Sequence, residues 1–194
     1  MMTTKSMADF AKQVRLAGSR QQQEVFYEAC CKELAARLLR KVIKRTPVGE
    51  GIFEVSRDNA GAVKKHKRGK HKGKVKLRRL TNGGTLRRGW TASSESNAMA
   101  GKASSVSGFV GDMTVRHVGK FYEVTIKNCV SYASYVELGH RQQPGRFVPV
   151  LGKRLKNGWV EGQFMLKISV DEVRAEAQRV LNRKLDRWLR EGFG

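Results

Sequence analysis

From Phe26 onward the apolar residues of this chain recur every fourth position: Phe26, Cys30, Leu34, Leu38 and Val42, flanked by Ala29, Leu39 and Ile43. That spacing lines one face of an α-helix. Ser19-Arg20-Gln21-Gln22 offers the start, a serine to accept from the backbone and a glutamine to reach back. Thr46-Pro47 offers the stop, because proline disfavours helix in the residue before it. The pattern predicts a helix of roughly 25 residues, preceded by a shorter one over Met7–Ala17 that breaks at Gly18. The far end repeats the period. Val173, Ala177, Val180, Leu181, Leu185 and Trp188 share a helical face within Gln163–Glu191, with Ser169 and Glu172 as a start signal and Gly192 as the close.

The middle of the chain changes period. Tyr122, Val124 and Ile126 alternate with Glu123, Thr125 and Lys127, the pattern of a half-buried strand. Trp90–Ser93, Ser105–Val110 and Met113–Val118 join Phe121–Asn128 as short stretches divided by glycines and polar breaks. They predict a small antiparallel sheet. Gly139–Gly162, rich in Gly and holding Pro144 and Pro149, reads as an extended loop suited to reaching a neighbour. The expected fold is α+β: a small antiparallel sheet packed by a long N-terminal helix and a long C-terminal helix.

Between the first helix and the sheet, residues 49–85 carry Gly49, Gly51, Gly61, Gly69, Gly73, Gly83 and Gly84 and almost no large apolar side chain. Such a segment cannot bury enough surface to offset its ordering entropy. The expectation is one domain over 1–194 with a flexible basic insertion at about 49–85. Ten of the seventeen residues from Val63 to Arg79 are Lys or Arg, and no acid lies between Asp58 and Glu95. Lys64, Lys65, Lys67, Arg68, Lys70, Lys72, Lys74, Lys76, Arg78 and Arg79 are the candidate contacts to nucleic acid or to an acidic partner. The net charge of +22 says nothing about fold but argues for polyanionic partners.

The run from Val63 to Arg79 holds no aromatic on which single-stranded bases would stack. A sequence-specific duplex reader needs a presented helix or ribbon, and Gly69 and Gly73 argue against one. Three uses remain: sequence-blind phosphate attraction, docking on a larger assembly, or a localisation signal.

Catalytic patterns are missing. His66, His71, His117 and His140 stand at no ligand spacing with one another or with Cys30, Cys31 or Cys129, and no phosphate-cradling glycine motif occurs. No enzyme, metal or cofactor is expected. Three cysteines, two of them adjacent on a helix, do not make a disulfide framework. The start of the chain lacks the apolar core of a secretory signal, and no charge-free run exceeds nine residues, too short to span a membrane.

Two ordered motifs add to this reading: Thr46-Pro47-Val48, followed later by Gly84-Thr85-Leu86-Arg87-Arg88-Gly89-Trp90, and Ser131-Tyr132-Ala133-Ser134-Tyr135-Val136-Glu137-Leu138-Gly139-His140. Together they resemble the neck, or minor tail component, family of long-tailed bacteriophages, the lambdoid gene-ten-product type of head–tail joining protein. Gly49-Glu50-Gly51 stand where that family has Asp-Thr-Gly, and the basic run is inserted where its pattern is continuous. The resemblance implies a virion protein assembled in the host cytoplasm, without catalysis or cofactor. It implies a homo-oligomeric ring around the DNA channel, between a portal-side connector and tail-tube or tail-terminator proteins, with double-stranded DNA touched non-specifically. Arg87, Trp90, Tyr132, Tyr135, Glu137, Arg141 and Arg146 are then the candidate subunit contacts. The other reading of both tyrosines is an amphipathic edge of the core. The rival for the whole chain is a non-enzymatic, sequence-independent nucleic-acid-binding protein that works through the basic arm.

Overall fold

The computed structural model of the protein describes residues 18–49, 53–79, 83–148 and 153–193. In chain order its elements are α1 (Arg20–Arg45), β1 (Phe53–Val55), β2 (Leu77–Arg79), α2 (Thr85–Arg88), α3 (Glu95–Met99), α4 (Val106–Gly111), β3 (Arg116–Val118) and β4 (Phe121–Glu123). After these come α5 (Ala133–Leu138), β5 (Gly139–Arg141), β6 (Phe147–Val148), β7 (Lys153–Arg154), β8 (Trp159–Glu161) and α6 (Met165–Phe193). Long helices near both ends and small antiparallel pairs between them make the fold α+β, as predicted. The helix expected over Met7–Ala17 lies outside the described residues.

The chain divides into two compact units. One comprises the residues up to Arg45, Ser104–Lys127 and the residues from Phe164; the other comprises Thr46–Ala103 and Asn128–Gln163. In the first, α1 and α6 run antiparallel. Phe26 meets Trp188 at one end, ring centres 5.1 Å apart, and Arg45 meets Ser169 and Glu172 at the other. Leu39 and Val42 are wholly buried, and Ala35, Ala36, Val173, Val180 and Met165 are buried with them. Burying such side chains contributes about 1.5–3 kcal/mol each for the larger aliphatic ones, as an upper estimate. The β3–β4 hairpin lies against α1, where Tyr27 touches Tyr122 and the Cys31 thiol donates to the Tyr122 carbonyl. His117 stacks on Tyr122 at 4.6 Å with ring planes 9° apart.

Three local expectations give way. Ser105–Val110 is helix, not strand: the Ser105 hydroxyl accepts from the Gly108 amide and caps α4. Trp90–Ser93 is also not a strand, because Thr91 and Ala92 bond back to the Arg88 carbonyl and close a turn after α2. Finally, the helix expected over Gln163–Glu191 is α6, Met165–Phe193, but Ser169 and Glu172 are not its start signal. Ser169 is buried inside the helix, donating its hydroxyl to the Met165 carbonyl and accepting from Arg45. Its cap-like sequence is a tertiary contact.

The second unit has a small core of Thr46, Leu86, Trp90, Thr91, Ala92, Ala98 and Val130. Two ribbons extend from it. One is Gly139–Glu161, a hairpin rather than the extended loop expected there: β5 pairs with β8 and β6 with β7, joined by Gln142-to-Gly158 and Gly145-to-Leu155 backbone bonds. The other is the basic insertion, in which β1 pairs with β2 and the chain between them pairs again at Arg57–Val63 and Lys65–Val75.

Candidate functional site

The Leu86-Arg87-Arg88-Gly89-Trp90 motif is the frame of the second unit. Leu86 is buried, and its carbonyl accepts from the Asn128 amide. Arg87 gives two guanidinium bonds to the Thr46 carbonyl, at 3.2 and 2.8 Å, and Arg88 bonds the carbonyls of Ala98 and Gly83. The Trp90 indole donates to the Thr46 hydroxyl at 2.8 Å. Gly89 faces Asn128 and Val130 with no room for a β-carbon, and its carbonyl accepts from the Cys129 amide. Trp90 is 3% exposed. Trp90, expected to meet a neighbouring subunit, is buried against the Thr46 that ends the helix pattern, and Arg87, half-buried, is bonded to the same residue.

The Tyr132–Gly139 motif has the opposite character. It forms α5 and leads straight into β5, and among its residues Tyr132, Tyr135 and Leu138 are all exposed. Tyr135 is 58% exposed and meets the His140 ring edge-on at 5.7 Å. The motif ends at Gly139 for two reasons. Its φ of +84° is strained for any other residue, and a β-carbon there would collide with the Val160 carbonyl. Gly162 is equally tight against the Glu137 carbonyl, so the end of α5 and the base of the hairpin interlock without side chains. Arg141 and Arg146, the two predicted contacts beyond this motif, lie exposed along the hairpin with Phe147 and Trp159.

The arm carries its cations on a hydrogen-bonded backbone. Three antiparallel stems meet at one junction, where the Ser56 amide bonds the Lys76 carbonyl, Lys76 bonds Lys64, and Lys64 bonds Ser56, each at 2.8–2.9 Å. One branch turns at Asp58, whose carboxylate accepts from the Ala60 and Ala62 amides. The other turns over residues 67–72, with Gly69 at φ +80° and Gly73 at +83°. Those glycines, read above as opposed to a ribbon, permit one: they sit in its turn, where positive φ is needed. The candidate residues Lys64, Lys65, Lys67, Arg68, Lys70, Lys72, Lys74, Lys76 and Arg78 are all exposed, and Arg79 closes the stem opposite Phe53.

The first unit holds a seam of ion pairs between its two long helices. Arg37, Lys41 and Arg45 stand every fourth residue along α1 and meet Glu172 and Glu176 of α6, the closest pair being Arg45–Glu172 at 2.7 Å. Lys41 and then Arg45, by hydrogen bonding, hold the Glu172 carboxyl below the ordinary carboxylate value, and Glu176 and Glu172 hold the Lys41 ammonium above the ordinary lysine value. Burial pushes the Cys30 and Cys31 thiols up, away from nucleophilic thiolate. This seam escaped the sequence reading, although its i, i+4 repeat of opposite charge on two helices was readable. Among the described residues no group of three or more His, Cys, Asp or Glu is placed to hold a metal, and no helix is long and apolar enough to cross a membrane.

Comparison with known proteins bears on both motifs. Residues 8–139, more than half of the chain, match the model of the HK97-gp10-like family, described as the bacteriophage HK97-gp10 tail component. The match runs from before α1 through the Thr46, Trp90 and Tyr135 motifs and ends where the hairpin begins. No curated protein and no solved structure matches the chain. The chain belongs to the HK97-gp10-like family of bacteriophage tail components.

Proposed function

We propose that this tail component is a subunit of the head–tail junction and assembles with copies of itself into a ring around the DNA channel, between a portal-side connector and tail-tube or tail-terminator proteins. It acts as a structural part of the virion. The observation that carries this reading is the exposed stretch from Tyr132 to Trp159. A monomer rarely leaves so many large apolar side chains outward in one short segment without a partner for them, and Tyr135, Leu138, Phe147 and Trp159 are all exposed here. Tyr132, Tyr135, Glu137, Arg141 and Arg146 are assigned to the subunit contact; the inward-facing Arg87 and Trp90 are not.

The test is the double substitution Tyr135→Ala with Glu137→Ala. The variant is expected to keep its circular dichroism and unfolding midpoint but to lose rings in light scattering and to enter particles poorly. Normal assembly with only a lowered midpoint would return both residues to the core edge. The second reading, a dedicated nucleic-acid binder, is favoured by the hydrogen-bonded cationic arm. It predicts a monomer or dimer that holds duplex tightly at physiological salt and forms no ring.

A further inference from the structure

The backbone register of the arm sorts its side chains between two faces. In an antiparallel pair, opposed residues place their side chains on the same side, and successive residues alternate. Val55 opposes Leu77, Lys65 opposes Val75 and Arg57 opposes Val63. One face therefore holds Val55, Val63, Val75 and Leu77 with Lys65 and Arg57, and the Arg57 guanidinium is drawn onto the Gly61 carbonyl. The other face holds Ser56, Lys64, Lys74, Lys76 and Arg78, with Glu54 opposite Arg78. At the junction Lys64 and Lys76 oppose each other directly, a like-charge placement that costs stability in an isolated pair of strands. Between Phe53 and Arg79 the acids are Glu54 and Asp58, and the Asp58 carboxylate is engaged by the Ala60 and Ala62 amides.

Resting on the reading of the chain as a tail component beside DNA, we infer that the Lys64–Lys74–Lys76–Arg78 face of the arm is a seat for the phosphate backbone of duplex DNA, with the Val55–Val63–Val75–Leu77 face turned away from it. An anionic backbone against this face offsets the Lys64–Lys76 repulsion. Same-face residues of a strand stand about 6.6 Å apart, so Lys74, Lys76 and Arg78 form an evenly spaced row of cations for a phosphate backbone. Duplex is favoured over single strand because no Phe, Tyr or Trp occurs from Glu54 to Arg79 to stack on bases. Lysines on a backbone of this kind position a strand and read no sequence.

Three full-length proteins test the face against mere charge: the wild type, Lys64→Ser with Lys76→Ser, and that double variant carrying Val63→Lys and Val75→Lys in addition. The last restores the net charge on the opposite face. Each is titrated with a short mixed-sequence duplex and the matching single strand over a range of salt, with circular dichroism confirming an unchanged fold. Loss of two phosphate contacts is expected to flatten the slope of log affinity against log salt by about 1.8, and relocated lysines are expected not to recover it. If the relocated variant recovers the slope, net charge and not the face does the binding, and the inference fails. It fails equally if the double variant matches a steep wild-type slope, or if single strand is preferred, while DNA contact by the chain itself would stand. A wild type that ignores duplex at low salt overturns DNA contact and the face together.

Discussion

At the scale of single residues, the motif that supplied Arg87 and Trp90 as candidate subunit contacts is an internal clasp. Nothing in Leu-Arg-Arg-Gly-Trp says whether its tryptophan points in or out, since the partner atoms belong to Thr46 and Asn128, far along the chain. Thr46 was read as a helix stop and as the start of a motif, and it is wholly buried and receives both Arg87 and Trp90. Gly89 is the tightest point of this clasp, because a β-carbon would strike Asn128 and lie 2.6 Å from Val130. Gly89→Ala is expected to destabilise the protein by about 1–3 kcal/mol through forced overpacking. Gly111→Ala is the control: it ends α4 with nothing within 4 Å of the new carbon, and the substitution is expected to be neutral or to stabilise by up to about 1 kcal/mol. Urea titration of the two variants side by side measures the difference. Equal midpoints would mean that Asn128 moves aside at no cost.

At the scale of elements, the two long helices were legible because burial on one face writes a period into the sequence, as with Leu39 and Val42 or Val173 and Val180. The short elements were not. Ser105-Val106-Ser107-Gly108-Phe109-Val110 has the composition of a strand, and one Ser105 hydroxyl on the Gly108 amide decides for helix. The start signal read at Ser169 was false, because Ser169 imitates a cap while serving Arg45 across the helix pair. That pairing has a pH consequence. The Glu172 carboxyl is held below its ordinary value by Lys41 and then Arg45, so its contribution is present above the ordinary carboxylate value and lost as pH falls through the lower, folded one. Lys41 is raised, so its contribution is complete below the ordinary lysine value and is lost only as pH rises past the folded one. At neutral pH both are intact. Glu172→Gln is expected to lower the unfolding temperature at pH 7, with the gap to wild type closing well below about pH 4.3, where the wild-type carboxyl also becomes neutral. A gap that stays constant down to acid pH would show that shape rather than charge carries the Glu172 contribution. Salt is expected to narrow the gap at pH 7, since these groups are partly exposed.

At the scale of the whole molecule, the absence of a core from the basic insertion was readable and its backbone pairing was not. Composition marks residues 49–85 as unable to form a core, and the described residues 54–78 indeed contain none that is buried. What composition misses is that a ribbon can be held by backbone bonds alone, with glycines in the turns and three amides closing a junction around Ser56, Lys64 and Lys76. The period-two run Val75-Lys76-Leu77-Arg78 carried that signal beneath the charge. Because the arm contributes no buried residue between 54 and 78, the rest of its unit does not depend on it. Phe53 and Arg79 are opposed strand partners, which places their α-carbons about 4.5–5.5 Å apart, a span that a short glycine link closes without strain. Excising residues 54–78 through such a link is expected to leave a single cooperative unfolding transition, with a midpoint close to that of the intact chain. The same deletion removes the cations of the arm and is expected to abolish salt-sensitive duplex binding while leaving ring formation through the Tyr132–Arg146 stretch intact. Calorimetry, light scattering and duplex titration on one preparation separate these outcomes. A broadened or lowered transition would make the arm part of the fold, and loss of rings with stability unchanged would place the subunit contact on the arm instead of on Tyr135 and the hairpin.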